Sequence, residues 1–242
     1  MEQKLKDAVV DAGCLLFFSD DQDVAGKADV LDALLYIQLA ASKQSPKFVA
    51  DSRWSDIWRE AALDFGWALK ASERISAPLP HGNAQTLWSL ASHLAETSVS
   101  PAMSSVAQSW SRTICAQVPV HEAMVLLARE TLHREAALAD MATPVTDDHC
   151  LKTVVSLQIG FVRADRNVAL TQIRLVTRQS LTSGFLFDTL DPDLMEGNVA
   201  LTFYSLQLVE QLYTPFRSAF DQALAHRRGA LLKSFGETPH VR

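Results

Sequence analysis

At 242 residues and 48% hydrophobic content, the chain is long and apolar enough to bury a sizeable core, which excludes general disorder. A formal net charge of −6 argues against a nucleic-acid binder, which would need a basic surface to neutralise phosphates. Three cysteines, Cys14, Cys115 and Cys150, lie far apart without CxxC spacing, which fits reduced thiols and a cytoplasmic location.

The predicted elements are helical. Residues 2–18 carry Leu5, Val9, Ala12 and Leu16 on one stripe and predict a first helix, closed by the acidic loop at 19–23. A second helix is expected over 29–43, stopped by Pro46, because proline disfavours helical geometry in the residue before it. A third runs over 52–75, with Trp54, Ile57, Trp58, Ala61, Phe65 and Leu69 at helical spacing.

Past the Pro/Gly break at 77–82, Asn83 is placed to cap a helix reaching Glu96. Ser100-Pro101 starts the next, with serine at the N-cap and proline at the first helical position. Residues 120–141 predict a strong helix bearing Met124, Leu127, Thr131 and Leu138.

Residues 152–178 are two-sided. Val155, Leu157, Ile159 and Phe161 alternate with Ser156, Gln158 and Gly160, a strand signature that would make 164–167 a hairpin loop. Helical spacing also fits, and is preferred because this stretch resembles the helical one at 31–43. The final helices are expected over 198–213 and 215–234, before a frayed polar tail.

That preference comes from a faint internal repeat. Residues 31–43 align with 151–163 through Leu31/Leu151 and Gln38/Gln158, Gly66 with Gly184, Trp88-Ser-Leu90 with Tyr204-Ser-Leu206, and Ser100-Pro101 with Thr214-Pro215. The expected fold is therefore an all-α bundle of about ten helices in two pseudo-symmetric halves, 1–119 and 120–242. The alternative is an α+β fold with a hairpin near 152–178. A groove between related halves would be a natural ligand or partner site.

Few constellations carry chemistry. Glu130 and His133 form an ExxH that would put a carboxylate and an imidazole on one helical face, the half-site of a metal centre. The other ExxH, at 237–240, contains a proline, and His93 with Glu96 is in reverse order. The histidines at 121, 133 and 149, with Cys150, match no zinc spacing. No GxSxG, phosphate-binding loop, GxGxxG or HExxH occurs. Arg163, Arg166, Arg174 and Arg178 read as a solvated, partly paired face, since Asp165 interrupts them and no aromatic ladder accompanies them.

All five tryptophans fall in the first half. Trp54, Trp58, Trp88 and Trp110 are core residues on apolar stripes and also candidate partner or ligand anchors. No apolar run reaches the roughly 18 residues of a spanning helix, and no secretion signal is read at the N-terminus.

The function expected is that of a non-catalytic binding protein working through protein contacts or self-assembly, with no cofactor. One alternative is an enzyme or ligand-binding protein with a site between helices, metal-dependent through Glu130 and His133. A third is reversible contact of amphipathic helices with a membrane or granule surface.

Overall fold

The computed structural model describes residues 4–49, 53–96, 98–135 and 152–237. Along them run β1 (Leu5–Asp11), β2 (Cys14–Ser19), α1 (Val24–Gln44), α2 (Arg53–Asp64), β3 (Trp67–Ala77), α3 (Leu87–Ala95), α4 (Pro101–Cys115), α5 (Glu122–Thr131) and β4 (Leu132–Glu135). The rest is β5 (Lys152–Arg163), β6 (Asn167–Thr177), β7 (Val199–Leu208), α6 (Glu210–Leu224), the single turn α7 (Arg228–Leu231) and β8 (Leu232–Glu237). The strands form one sheet in the order β3-β7-β6-β5-β2-β1-β8, with β4 extending along the β2 edge of β5. Among the described strands, only the β2–β5 pairing is parallel.

The fold is thus α/β around a mixed sheet, and the expected all-α bundle is corrected. The first predicted helix is the β1–β2 hairpin, turning at Ala12 and Gly13, with Ala12 at a φ of 48°. Its β2 segment is buried on both faces, Leu15 and Phe17 facing one layer of helices and Leu16 and Phe18 the other. A strand apolar on both faces loses the polar alternation that marks a half-buried strand, so a helix-spaced subset can be drawn through it. The same holds for β5, and residues 152–177 are the hairpin, turning over 164–166.

The internal repeat is corrected with it. Residues 31–43 belong to α1, while 152–163 of their match form β5; Trp88 lies in α3 and its match Tyr204 in β7. Both parts of the chain supply strands to the same sheet. What the aligned segments share is apolar density, which helix and strand both need.

The helices form two layers. Against one face, α3, α4 and α5 pack on Ala8, Val10, Phe17, Leu157, Ile173 and Phe203. Against the other, α1, α2 and α6 cover Leu16, Phe18, Val162, Leu170 and Leu206. Helix starts follow capping chemistry: Asp23 accepts from the Gly26 amide at 2.6 Å, Ser100 caps α4 ahead of Pro101, and Thr86, not Asn83, caps α3 in a reciprocal capping box with Ser89. No helix among the described residues is long and apolar enough to cross a membrane.

Two buried polar knots tie α1 to its neighbours. Asp29 accepts both prongs of the Arg217 guanidinium, at 2.9 and 2.8 Å, and Arg166 at 3.1 Å; Glu210 also pairs with both arginines. These pairs hold the β5–β6 turn, where Asp165 and Arg166 both adopt positive φ. In the second knot, Gln38 bridges the β1–β2 turn, donating to the Asp11 carbonyl at 3.0 Å and accepting from the Gly13 amide at 3.2 Å.

Asp11 is fully buried, and one carboxylate oxygen has no partner. Burial, with Asp32 nearby, pushes its carboxyl well above the usual range. The folded protein therefore keeps this proton to higher pH than the unfolded chain, so stability falls as pH rises above about 4, the unfolded value. Asp11→Asn is expected to be more stable than wild type by about 1–3 kcal/mol at pH 7, with the advantage shrinking toward pH 4. Urea melts at the two pH values check this, and an unchanged advantage would place the cost in packing instead of ionisation.

Candidate ligand-binding cleft

The α1/α2/α6 face of the sheet is apolar only along part of its length. Register places Gly160, Leu170, Tyr204 and Ser72 in one row across β5, β6, β7 and β3. The next row is Gln158, Gln172, Thr202 and Arg74, and the one beyond is Ser156, Arg174, Ala200 and Ser76. Within a few residues the floor changes from leucine to amides, hydroxyls and guanidinium groups. Over these polar rows lies the first part of α2, contributing Trp54, Ser55, Asp56 and Arg59. Between helix and sheet is a cavity of about 120 Å³ that opens to solvent.

Gln158 and Gln172 form its floor. They are direct cross-strand partners, so their side chains rise side by side. Gln158 is 2% and Gln172 7% exposed, yet none of the four amide atoms has a hydrogen-bond partner among the described residues. No other side-chain amide among the described residues has both its polar atoms buried and unpaired. Each amide can offer two donors and an acceptor, and a buried polar group without a partner costs about 1–3 kcal/mol.

The walls are positive. Arg59, Arg74 and Arg174 line the cavity against a single carboxylate, Asp56. This is a local excess of cation in a chain whose net charge is −6. Arg174 is half-buried, and burial lowers its pKa. It donates to the carbonyls of Lys47 and Val49 at 3.1 and 2.7 Å, holding the segment after α1 beside the cleft. The Arg59 and Arg74 side chains are exposed at the rim and make no hydrogen bond or ion pair with any described residue. Both bear electrostatically on the Tyr204 hydroxyl, whose pKa is raised chiefly by burial. The arginines expected to share one solvated face are separated: Arg174 enters the cleft, Arg166 joins the Asp29 knot and Arg178 lies 3.9 Å from Glu196.

Of the candidate anchors, Trp54 lines the cavity, its indole N–H donating to the Ser42 hydroxyl at 3.0 Å. Lys47 sits 5.3 Å from the Trp54 ring and donates to the Glu130 carbonyl at 2.9 Å; burial lowers its pKa to about 8. Trp58 is fully buried with its ring 5.5 Å from Tyr204, below the same helix. Trp88 and Trp110 lie on the opposite face of the sheet, packed on Phe17 at 5.7 and 6.5 Å. The four tryptophans therefore do not converge.

Glu130 and His133 do not share a helical face, because α5 ends at Thr131 and His133 belongs to β4. The Glu130 carboxylate accepts from Arg129 at 2.9 Å, and the His133 ring stacks on Phe48 at 5.3 Å. Among the described residues no group of three or more His, Cys, Asp or Glu is placed to hold a metal ion. His121 caps α5 through Nδ1, which accepts from the Ala123 amide at 3.2 Å, while His149 and Cys150 lie outside the described residues.

Among the described cleft residues Trp54 was the sequence candidate, while Gln158, Gln172, Thr202, Arg74 and Arg59 were missed. One signal was present: Gln158 and Gln172 interrupt apolar runs at equal distances from the 164–166 turn, so a hairpin reading pairs them automatically. The chain matches no protein-family model and no curated protein.

Proposed function

We propose that the protein is a non-catalytic binding protein for a small polar molecule, seated between α2 and the sheet. The observation that carries the reading is the pair of unpaired, buried amides of Gln158 and Gln172 beneath a cavity of about 120 Å³. A fold maintains such a cost where an occupant returns the missing hydrogen bonds. The described lining supplies recognition groups: two amides, several hydroxyls, three guanidinium groups and one carboxylate. A cytoplasmic setting suits this role, since Cys14 and Cys115 are free thiols.

Self-association through the β3 edge of the sheet is disfavoured by the composition of that strand. Among the described residues that strand pairs only with β7, but Lys70 occupies a bulge and Glu73 and Arg74 follow it, features that discourage the addition of another strand.

The test is side-chain amide NMR on glutamine-labelled protein titrated with small polar compounds, neutral and charged. Binders are expected to move the Gln158 and Gln172 NH₂ signals, and Gln158→Leu should remove the response. A set in which no compound moves either signal would overturn the reading.

A further inference from the structure

Resting on that reading, we infer that the ligand is a small oxyanion, its charged group held by Arg59 and Arg74 at the rim and its other end hydrogen-bonded by Gln158 and Gln172. The size follows from the cavity. An engineered apolar cavity of roughly 150 Å³ holds benzene, so about 120 Å³ encloses around five non-hydrogen atoms, with more in the open mouth.

The charge follows from the lining. Three guanidinium groups face one carboxylate, an excess of two positive charges that a dianion would balance. Arg174 already spends two donors on backbone carbonyls, whereas Arg59 and Arg74 spend none on described residues. Planar guanidinium forks suit the paired oxygens of a carboxylate or phosphate, and they only donate. Acceptors are concentrated deeper, in the Gln158 and Gln172 carbonyls and the Ser156, Thr202 and Tyr204 hydroxyls. The cleft therefore reads charge at the mouth and a hydrogen-bonding group at the floor. The amide atoms are shut off from solvent, so an occupant would engage them through a turn about their side-chain torsions.

Isothermal titration calorimetry at low salt, paired with glutamine side-chain NMR, tests this with succinate, L-malate, inorganic phosphate and the neutral isostere succinamide. Succinate, malate or phosphate should bind at least about tenfold more tightly than succinamide, the worth of one charge-assisted hydrogen bond. Their affinity should fall as salt is added, and Arg74→Gln or Arg59→Gln, both at exposed positions, should each cost about tenfold. Binding by phosphate alone identifies a phosphate site, and binding by the carboxylates alone a carboxylate site; both support the inference. If succinamide binds as tightly as succinate and the arginine variants are silent, the anion inference fails while the binding function stands. If no probe, charged or neutral, moves the Gln158 or Gln172 signals, the binding function fails too.

Discussion

Replacing both Gln158 and Gln172 with leucine is expected to stabilise the folded protein by about 2–4 kcal/mol while abolishing ligand binding. The gain arises because leucine fills nearly the same space with no polar atom to desolvate, and removing buried, unpaired groups recovers about 1–3 kcal/mol each. The side chains are direct cross-strand neighbours, so the single variants will not simply add. A higher urea midpoint at unchanged slope, with lost amide response to ligand, is the expected result. A lower midpoint would mean that ordered water already satisfies these amides. Stability gained at the expense of binding is the usual mark of a site maintained for function.

Gly66→Ala is expected to destabilise by about 3 kcal/mol or more, a melting-temperature drop of roughly 6–12 °C for a chain of this size. Gly66 joins α2 to β3 with φ at +95°, a left-handed conformation costing a side-chain-bearing residue about 1–2 kcal/mol. A Cβ there would also lie 2.9 Å from the Tyr213 amide nitrogen and 3.0 Å from its Cα. That backbone cannot easily yield. Val209 donates to the Gly66 carbonyl at 3.0 Å, and the Tyr213 amide donates to the Val209 carbonyl at 2.9 Å as α6 begins. Gly82→Ala is the control: φ is +90°, but no atom lies within 4 Å of the added carbon. Equal losses in the two variants would show that the approach to α6 is soft and that backbone conformation alone sets the cost.

Sequence reading located what local chemistry determines and failed where distant packing decides. The start of α4 was legible because Ser100-Pro101 satisfies and removes exposed amides at one end. The end of α1 was legible because Pro46 follows Ser45. β2 and β5 were misread because both of their faces are covered, which only the two helical layers, remote in sequence, can explain. The ExxH idea needed a helix running past Thr131, yet Leu132 adopts extended backbone and enters β4 alongside β5. Once β5 is taken for a helix, Gln158 loses its neighbour Gln172 and the cleft disappears from view.

The placement of β1 bears on how the molecule comes to exist. β1 lies between β2, its immediate successor, and β8, which follows more than two hundred residues later. β2 likewise waits for β5, across the parallel pairing. Such distant contacts carry a large loop-closure cost and slow folding. During synthesis the β1–β2 hairpin therefore precedes both β5 and β8 as a strongly apolar ribbon with its edges open, the kind of surface that invites wrong partners. Its outer edge is covered only once β8, more than two hundred residues further along, has joined it, so closing the sheet is a collective event.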